Sequence, residues 1–260
     1  MFRFAMHPMI ALAMVVAVSA VTANADTVTL RQGLNGYTDT VDLYIRSGTA
    51  TSNYAAEERI DLWGNSVSGT TAGLPDTSND FRQGLLRFDN LFADVPTGAI
   101  ISSAQLTVNI DNSSESLHVF RVTTGWTAAN ASWNHFDSDG SGDNNADLPS
   151  EGGGLTVNVD TVSTPDYVGP DNSSGGTGTG ALSIDVTSTV QAWYGGADNF
   201  GWVFMMEDLN RGGFSSSEYT TDSTLRPTLV ITFTVIPEPT SLASVIGFGS
   251  MMLIRRRRNG

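Results

Sequence analysis

Five residues in one short stretch have the spacing of a cation site. Asp137, Asp139, Ser141, Gly142 and Asp143 fall at positions 1, 3, 5, 6 and 7 of a calcium loop, in which alternate side chains converge oxygens and a glycine permits the sharp turn. Position 12 is Leu148, so Asp147 or Glu151 would have to supply the bidentate carboxylate. The stretch therefore reads either as a weak Ca²⁺ site, in the range of about 10⁻⁴ to 10⁻³ M, or as a solvated acidic loop. Residues for catalysis are sparse. Apart from His7 near the start, the histidines are His118 and His135, with no zinc-ligand spacing and no G-x-S-x-G or H-E-x-x-H. His118 follows Leu117 in an alternating run and reads as structural. Two carboxylates suffice for glycoside hydrolysis, but a chain this acidic offers many pairs and their presence selects none. Tyr54, Trp63 and Tyr167 lie in or beside polar turns, and Arg82 and Arg211 supply cations. Such residues suit sugar recognition: the apolar face of a pyranose stacks on a ring while polar groups read its hydroxyls. Trp126, Trp133, Trp193 and Trp202 are expected in the core, and Glu218 and Arg226 as an ion pair between strands.

Holding these residues falls to strands. Between Asp26 and Ile236 lie 211 residues with no cysteine and no lysine, and with many Gly, Ser, Thr, Asn and Asp. Disulfides and thiolate metal sites are thereby excluded. Eight arginines against 26 acids leave this body at a net charge of −18, which disfavours nucleic acid as a partner. Alternating or β-branched runs predict strands at Thr27 to Gln32, Thr40 to Arg46, Arg59 to Trp63, Gln83 to Phe88, Ser103 to Ile110, Leu117 to Val122, Leu155 to Val159, Leu182 to Val186, Gly201 to Met206 and Thr228 to Val235. One short helix is expected in DVTSTVQAWYGG, with Ser188 and Gln191 as a capping box, Gly195 as its left-handed stop, and Val190 and Trp193 facing inward as a plug. About ten strands without long helices predict an all-β single domain, a β-sandwich of jelly-roll type.

The two ends differ from this body. Residues 1–25 carry an arginine, an apolar core from Ile10 to Val18 and the A-x-A sequence Ala23-Asn24-Ala25, the parts of a secretory signal peptide cleaved before Asp26. The other end, from residue 237, holds Pro237, Glu238 and Pro239, an apolar run from Leu242 to Ile254, and Arg255, Arg256, Arg257 and Arg258. Its 13 residues reach about 20 Å as a helix, short of a hydrocarbon core about 30 Å thick. The arginines would hold the extreme end in the cytoplasm, so the run reads as a transient inner-membrane handle. This order of parts resembles the PEP-CTERM sorting signal of Gram-negative bacteria. The resemblance implies an exosortase-type sorting protease as partner and delivery to the cell surface or exopolysaccharide matrix; with the N-terminal site also cleavable, the mature protein is expected to lack both ends.

The body has a resemblance of its own, to the DNRLRE or disaggregatase-related modules, classed in part with carbohydrate-binding modules. It rests on DLYIR with SNYA, GLLRFDNLFADVPTGAIISSAQLTVNI, LHVFRVTTGWTAANASWN, SIDVTSTVQAWYGGADNFGWVF and SSEYTTDSTLRPTLVITF, from Asp42 to Phe233. The family's name motif is not visible, and the loop after Trp133 departs by its aspartates. The resemblance implies a jelly-roll module attached to secreted enzymes and surface proteins, some members of the family being similar to alginate-type polysaccharide binders, and the expected function is a module that binds or organises extracellular polysaccharide without catalysis of its own. The alternatives are a polysaccharide hydrolase or lyase of disaggregatase type and a matrix protein with no specific glycan.

Overall fold

Among the described residues, eleven strands and one α-helix form where apolar residues alternate or run together between turn residues. The computed structural model describes residues 24–63, 81–112, 117–136, 153–170, 178–206 and 211–235. In chain order the elements are β1 (Ala25–Arg31), β2 (Thr40–Arg46), β3 (Arg59–Trp63), β4 (Arg82–Phe88), β5 (Ile100–Asn112), β6 (Leu117–Arg121), β7 (Tyr167–Val168), β8 (Gly180–Asp185), α1 (Thr187–Tyr194), β9 (Trp202–Met206), β10 (Arg211–Ser215) and β11 (Thr228–Thr234). Ala25–Val235 is one compact unit, and no helix among the described residues is long and apolar enough to cross a membrane.

Every strand pairing is antiparallel. β1 lies on β11, and β11 on β5, which also carries β8 and passes its far end to β10. β10 pairs with β3, and β3 meets β4 at the single register pair Trp63 and Arg82. From β4 the sheet continues to β2 on one side and through β9 and β6 to β7 on the other. β10 and β3 thus join two halves of one curled sheet. Leu106 and Val108 of β5 and Ile231 of β11 share a core with Leu86, Val119 and Phe204 of the other half.

A second apolar layer explains the unbroken run WVFMM. Trp202, Phe204 and Met206 face the first core, whereas Val203 and Met205 join Leu43, Ile45 and Leu85 on the opposite face. That face is roofed by Trp126, Trp133, Phe136 and Leu155. Strands covered on both faces need apolar residues at every position. Leu155 to Val159, expected as a strand, belongs to this roof and forms a turn. The Gln83 side chain donates to the Leu155 carbonyl and accepts from its N–H, so it takes the place of a neighbouring strand.

β5 holds a bulge at Ser102, where Thr232 faces Ser103 and Phe233 faces Ile101. The extra residue resets the alternation, so Ile101 and Ala104 are both buried. α1 docks here: Gln191 Nε2 donates to Ile101 O at 2.9 Å, and Ala104 N donates to Thr187 Oγ1 at 2.9 Å. Val190 and Trp193 are buried, as expected of the plug. Its ends differ from expectation. Asp185 Oδ1 accepts the Thr187 N–H at 3.0 Å, in place of a Ser188 capping box whose Gln191 is engaged with β5. The left-handed residue is Gly196, with φ of 104°, while Gly195 stays right-handed.

Candidate functional site

β3 alternates cleanly. Ile60 and Leu62 enter the core with no exposure, so Arg59, Asp61 and Trp63 project from the other face. Register then sets their neighbours. Arg211 of β10 lies opposite Trp63 on one side, and Arg82 of β4 lies opposite it on the other. Directly opposed residues present their side chains together, and both guanidinium carbons approach the indole, at 5.0 Å for Arg211 and 5.5 Å for Arg82. Arg82 also lies 6.0 Å from the ring centroid of Tyr44, which is stacked on Tyr54 at 4.3 Å. The Tyr54 hydroxyl is 2.7 Å from Thr49 Oγ1. Arg46 is the register partner of Arg82 across β2 and β4.

Asp61 organises these cations. It accepts from Arg59, from Arg82 and, at 3.2 Å, from Arg211. Arg59 is held on its other side by Asp111 through Nε at 2.6 Å and a second nitrogen at 3.0 Å. Gly213 makes room for this clamp, since a Cβ there would meet the Arg59 guanidinium at 2.3 Å. Burial, then the charges of Arg46 and Arg211, hold the Arg82 pKa below its ordinary value. The Arg211 side chain is 53% exposed and Arg82 only 8%, so Arg211 is the outward cation. Half of the body's eight arginines gather here, in a body whose net charge is −18. Cations over aromatic rings are well placed to meet an anion or a polar ligand face.

Four of the five residues expected from sequence for ligand binding, Tyr54, Trp63, Arg82 and Arg211, thus lie in one connected group. Tyr167 does not join them. Expected in a polar loop, it stands instead in β7 opposite Val119 and packs on the core, three strands beyond β4. Sequence reasoning missed Tyr44, Arg46, Arg59 and Asp61. The period-two face of RIDLW gives a signal for Arg59 and Asp61, whereas Arg46 and Tyr44 join through cross-strand register.

A second polar cluster lies on the inner face of β2. Asp42 is 3% exposed, and its Oδ2 accepts Ser217 N at 2.8 Å. Its Oδ1, and Thr40 Oγ1 two residues before it, are buried without a partner. Burial above all, then the nearby Glu218 carboxylate, pushes the Asp42 pKa well up. The expected pair of Arg226 with Glu218 is not formed: Arg226 donates to the carbonyls of Tyr219 and Gln32, and Glu218 accepts from Ser217 Oγ.

No family model matches the chain, and no curated protein is detectably similar to it. The calcium-loop residues Asp137, Asp139, Ser141, Asp143 and Asp147 lie outside the described residues, as do Pro237, Glu238, Pro239 and Arg255 to Arg258. Among the described residues no group of three or more acidic or histidine side chains is arranged to hold a metal ion.

Proposed function

We propose that the body is a secreted, surface-sorted module of jelly-roll type that binds extracellular polysaccharide through the face around Trp63, without catalysis of its own. One observation carries the reading: Arg82 and Arg211 lie over Trp63, Arg82 also over Tyr44, and Arg46 and Arg59 stand beside them, while the rest of the body is strongly acidic. An acidic glycan needs such a local patch to overcome the field of the whole body, so the ligand class is a polyuronate or another carboxylated polysaccharide. In this reading the PEP-CTERM signal, recognised by an exosortase-type protease, delivers the module to the matrix. A weakly bound Ca²⁺ at the Asp137–Asp147 loop belongs to it from spacing alone.

Retention on immobilised alginate and pectate, beside neutral glucan, tests the proposal. Arg211→Gln should weaken retention on the acidic polymers by about tenfold at low salt, the worth of one charge-assisted bond, with the melting temperature unchanged. Added salt should weaken the parent in the same way, because exposed charges are screened beyond about 8 Å at physiological ionic strength. Equal retention of Arg211→Gln and parent, or new reducing or unsaturated ends released during incubation, would sink the reading, the latter in favour of a polysaccharide-cleaving enzyme.

A further inference from the structure

β1 is the outermost strand of its half of the sheet, with β11 as its one partner among the described residues. Its seven residues pair with β11 without a bulge, contain no proline and centre on Thr27, Val28 and Thr29. Natural edge strands are guarded by shortness, proline, lysine or a bulge, and β1 has none of these. In an antiparallel pair alternate residues turn their N–H and C=O away from the partner. Among the described residues nothing outside the β11 ladder bonds to residues 25–30, so the outward groups are open to a further strand.

A cleft of about 810 Å³ runs along this edge, and residues 25–30 line it in unbroken succession. A hollow on one face of a strand meets every second residue, so six in succession place the cleft against the strand's edge. Its far wall is formed by turns at residues 34–39 and 90–96. These turns are tied together: the Tyr37 hydroxyl donates to Asp89 O at 2.9 Å, and Asn90 Nδ2 donates to Asp39 Oδ2 at 2.7 Å. A wall ordered in advance loses little freedom when a ligand arrives. Leu30, Leu91 and Phe233 are buried beneath the cleft and give it an apolar floor. Charge then selects the occupant. Asp26, Asp39 and Asp94 line the cleft and no arginine does, and the Asp26 and Asp94 carboxylates are exposed with no hydrogen bond from any described residue.

We propose that this cleft docks an extended, basic segment of another protein, which adds to β1 as a further strand and sets Lys or Arg against Asp26, Asp39 and Asp94. Backbone bonds to β1 hold such a segment, while its alternate side chains meet the apolar floor and the acidic wall. A second copy of this chain is a poor occupant, because two bodies at −18 repel each other. The cleft is lined by none of the residues around Trp63, so this docking stands apart from the glycan face.

Fluorescein-labelled Lys-Val-Lys-Val-Lys-Val-Lys, titrated with the full chain and followed by anisotropy, tests the docking. Its companions are Glu-Val-Glu-Val-Glu-Val-Glu and a copy of the basic peptide methylated at every backbone nitrogen. The basic peptide should bind saturably at up to about 1 mM, and the acidic one not at all. The methylated copy keeps its charges but lacks N–H donors, and should bind at least about tenfold more weakly. Asp26→Asn with Asp94→Asn should weaken binding about two- to tenfold at low salt. Glu57→Gln with Asp198→Asn, the same loss of charge at exposed positions outside the cleft, should bind as the parent does. Bound peptide should also slow amide hydrogen exchange in the fragment that holds β1. Equal binding of the plain and methylated peptides would reduce the effect to attraction by an acidic body, and unchanged exchange in β1 would place the peptide elsewhere. A dimer of the chain that excludes the peptide would give the edge to a second copy. Each of these results overturns the proposal.

Discussion

Asp61→Ala should destabilise the body by about 3–5 kcal/mol, the usual consequence of removing one partner from a buried ion pair. Asp61 is 8% exposed and Arg82 7%. Truncation leaves the Arg82 charge buried between Tyr44 and Trp63, with Arg46 and Arg211 as like charges nearby. Arg59 suffers less, because Asp111 still holds it through two nitrogens. For a body of this length the loss corresponds to a fall in melting temperature of roughly 10 °C. Replacing both partners by apolar residues, Asp61→Leu with Arg82→Met, should recover most of it, because the two buried charges are removed together. Thermal denaturation of the two variants decides the matter. If Asp61→Ala melts with the parent, the arginines are not held by this carboxylate.

Asp42→Asn should make the body more stable at neutral pH and flatten its decline with rising pH. The sign follows from the direction of the shift. A carboxyl group whose pKa is raised on folding keeps its proton in the native state over a range where the unfolded chain has lost it. Its stabilisation is complete below the unfolded value of about 4 and is lost as pH rises through the raised folded value, at about 1.4 kcal/mol per pH unit for one proton. Asparagine removes the titration, keeps an oxygen for Ser217 N–H and offers Glu218 an amide donor. Denaturant unfolding from about pH 4 to about pH 8 gives the difference between variant and parent. Two parallel curves would mean that Asp42 is not held protonated.

Legibility in the sequence followed how far each segment's fate was decided by its own residues. Thr40–Arg46 and Arg59–Trp63 were bounded to the residue, since alternation and β-branched content suffice there. β10 was missed because RGGFS lacks strand propensity; its glycines serve the Arg59 side chain that crosses them, a fact held in another strand. Leu155 to Val159 was misread in the opposite sense, as an apolar run that Gln83 ties down as a turn. At the candidate site, residue types pointed to Trp63, Arg82 and Arg211, because aromatics and cations in a lysine-free acidic chain are conspicuous. Which of them meet is a matter of register across β10, β3 and β4, and a slip of one residue would have sent each to the other face. Tyr167 illustrates the cost of judging by type alone.

The two-sided burial of β9 gives the chain a pair of chemical clocks. Between the ends, its methionines are Met205 and Met206 alone, adjacent in sequence yet packed in different layers, Met205 under the irregular roof and Met206 between the two halves of the sheet. A thioether sealed from solvent is oxidised only when its surroundings open. Under dilute peroxide, sulfoxide at Met205 therefore times the lifting of the roof and sulfoxide at Met206 the parting of the sheet halves. Because the roof is held by loops and the inner core by strands, Met205 should be oxidised first, and peptide mass spectrometry reads both clocks in one sample. In the extracellular setting proposed above, this arrangement would let the outer layer take damage before the core does.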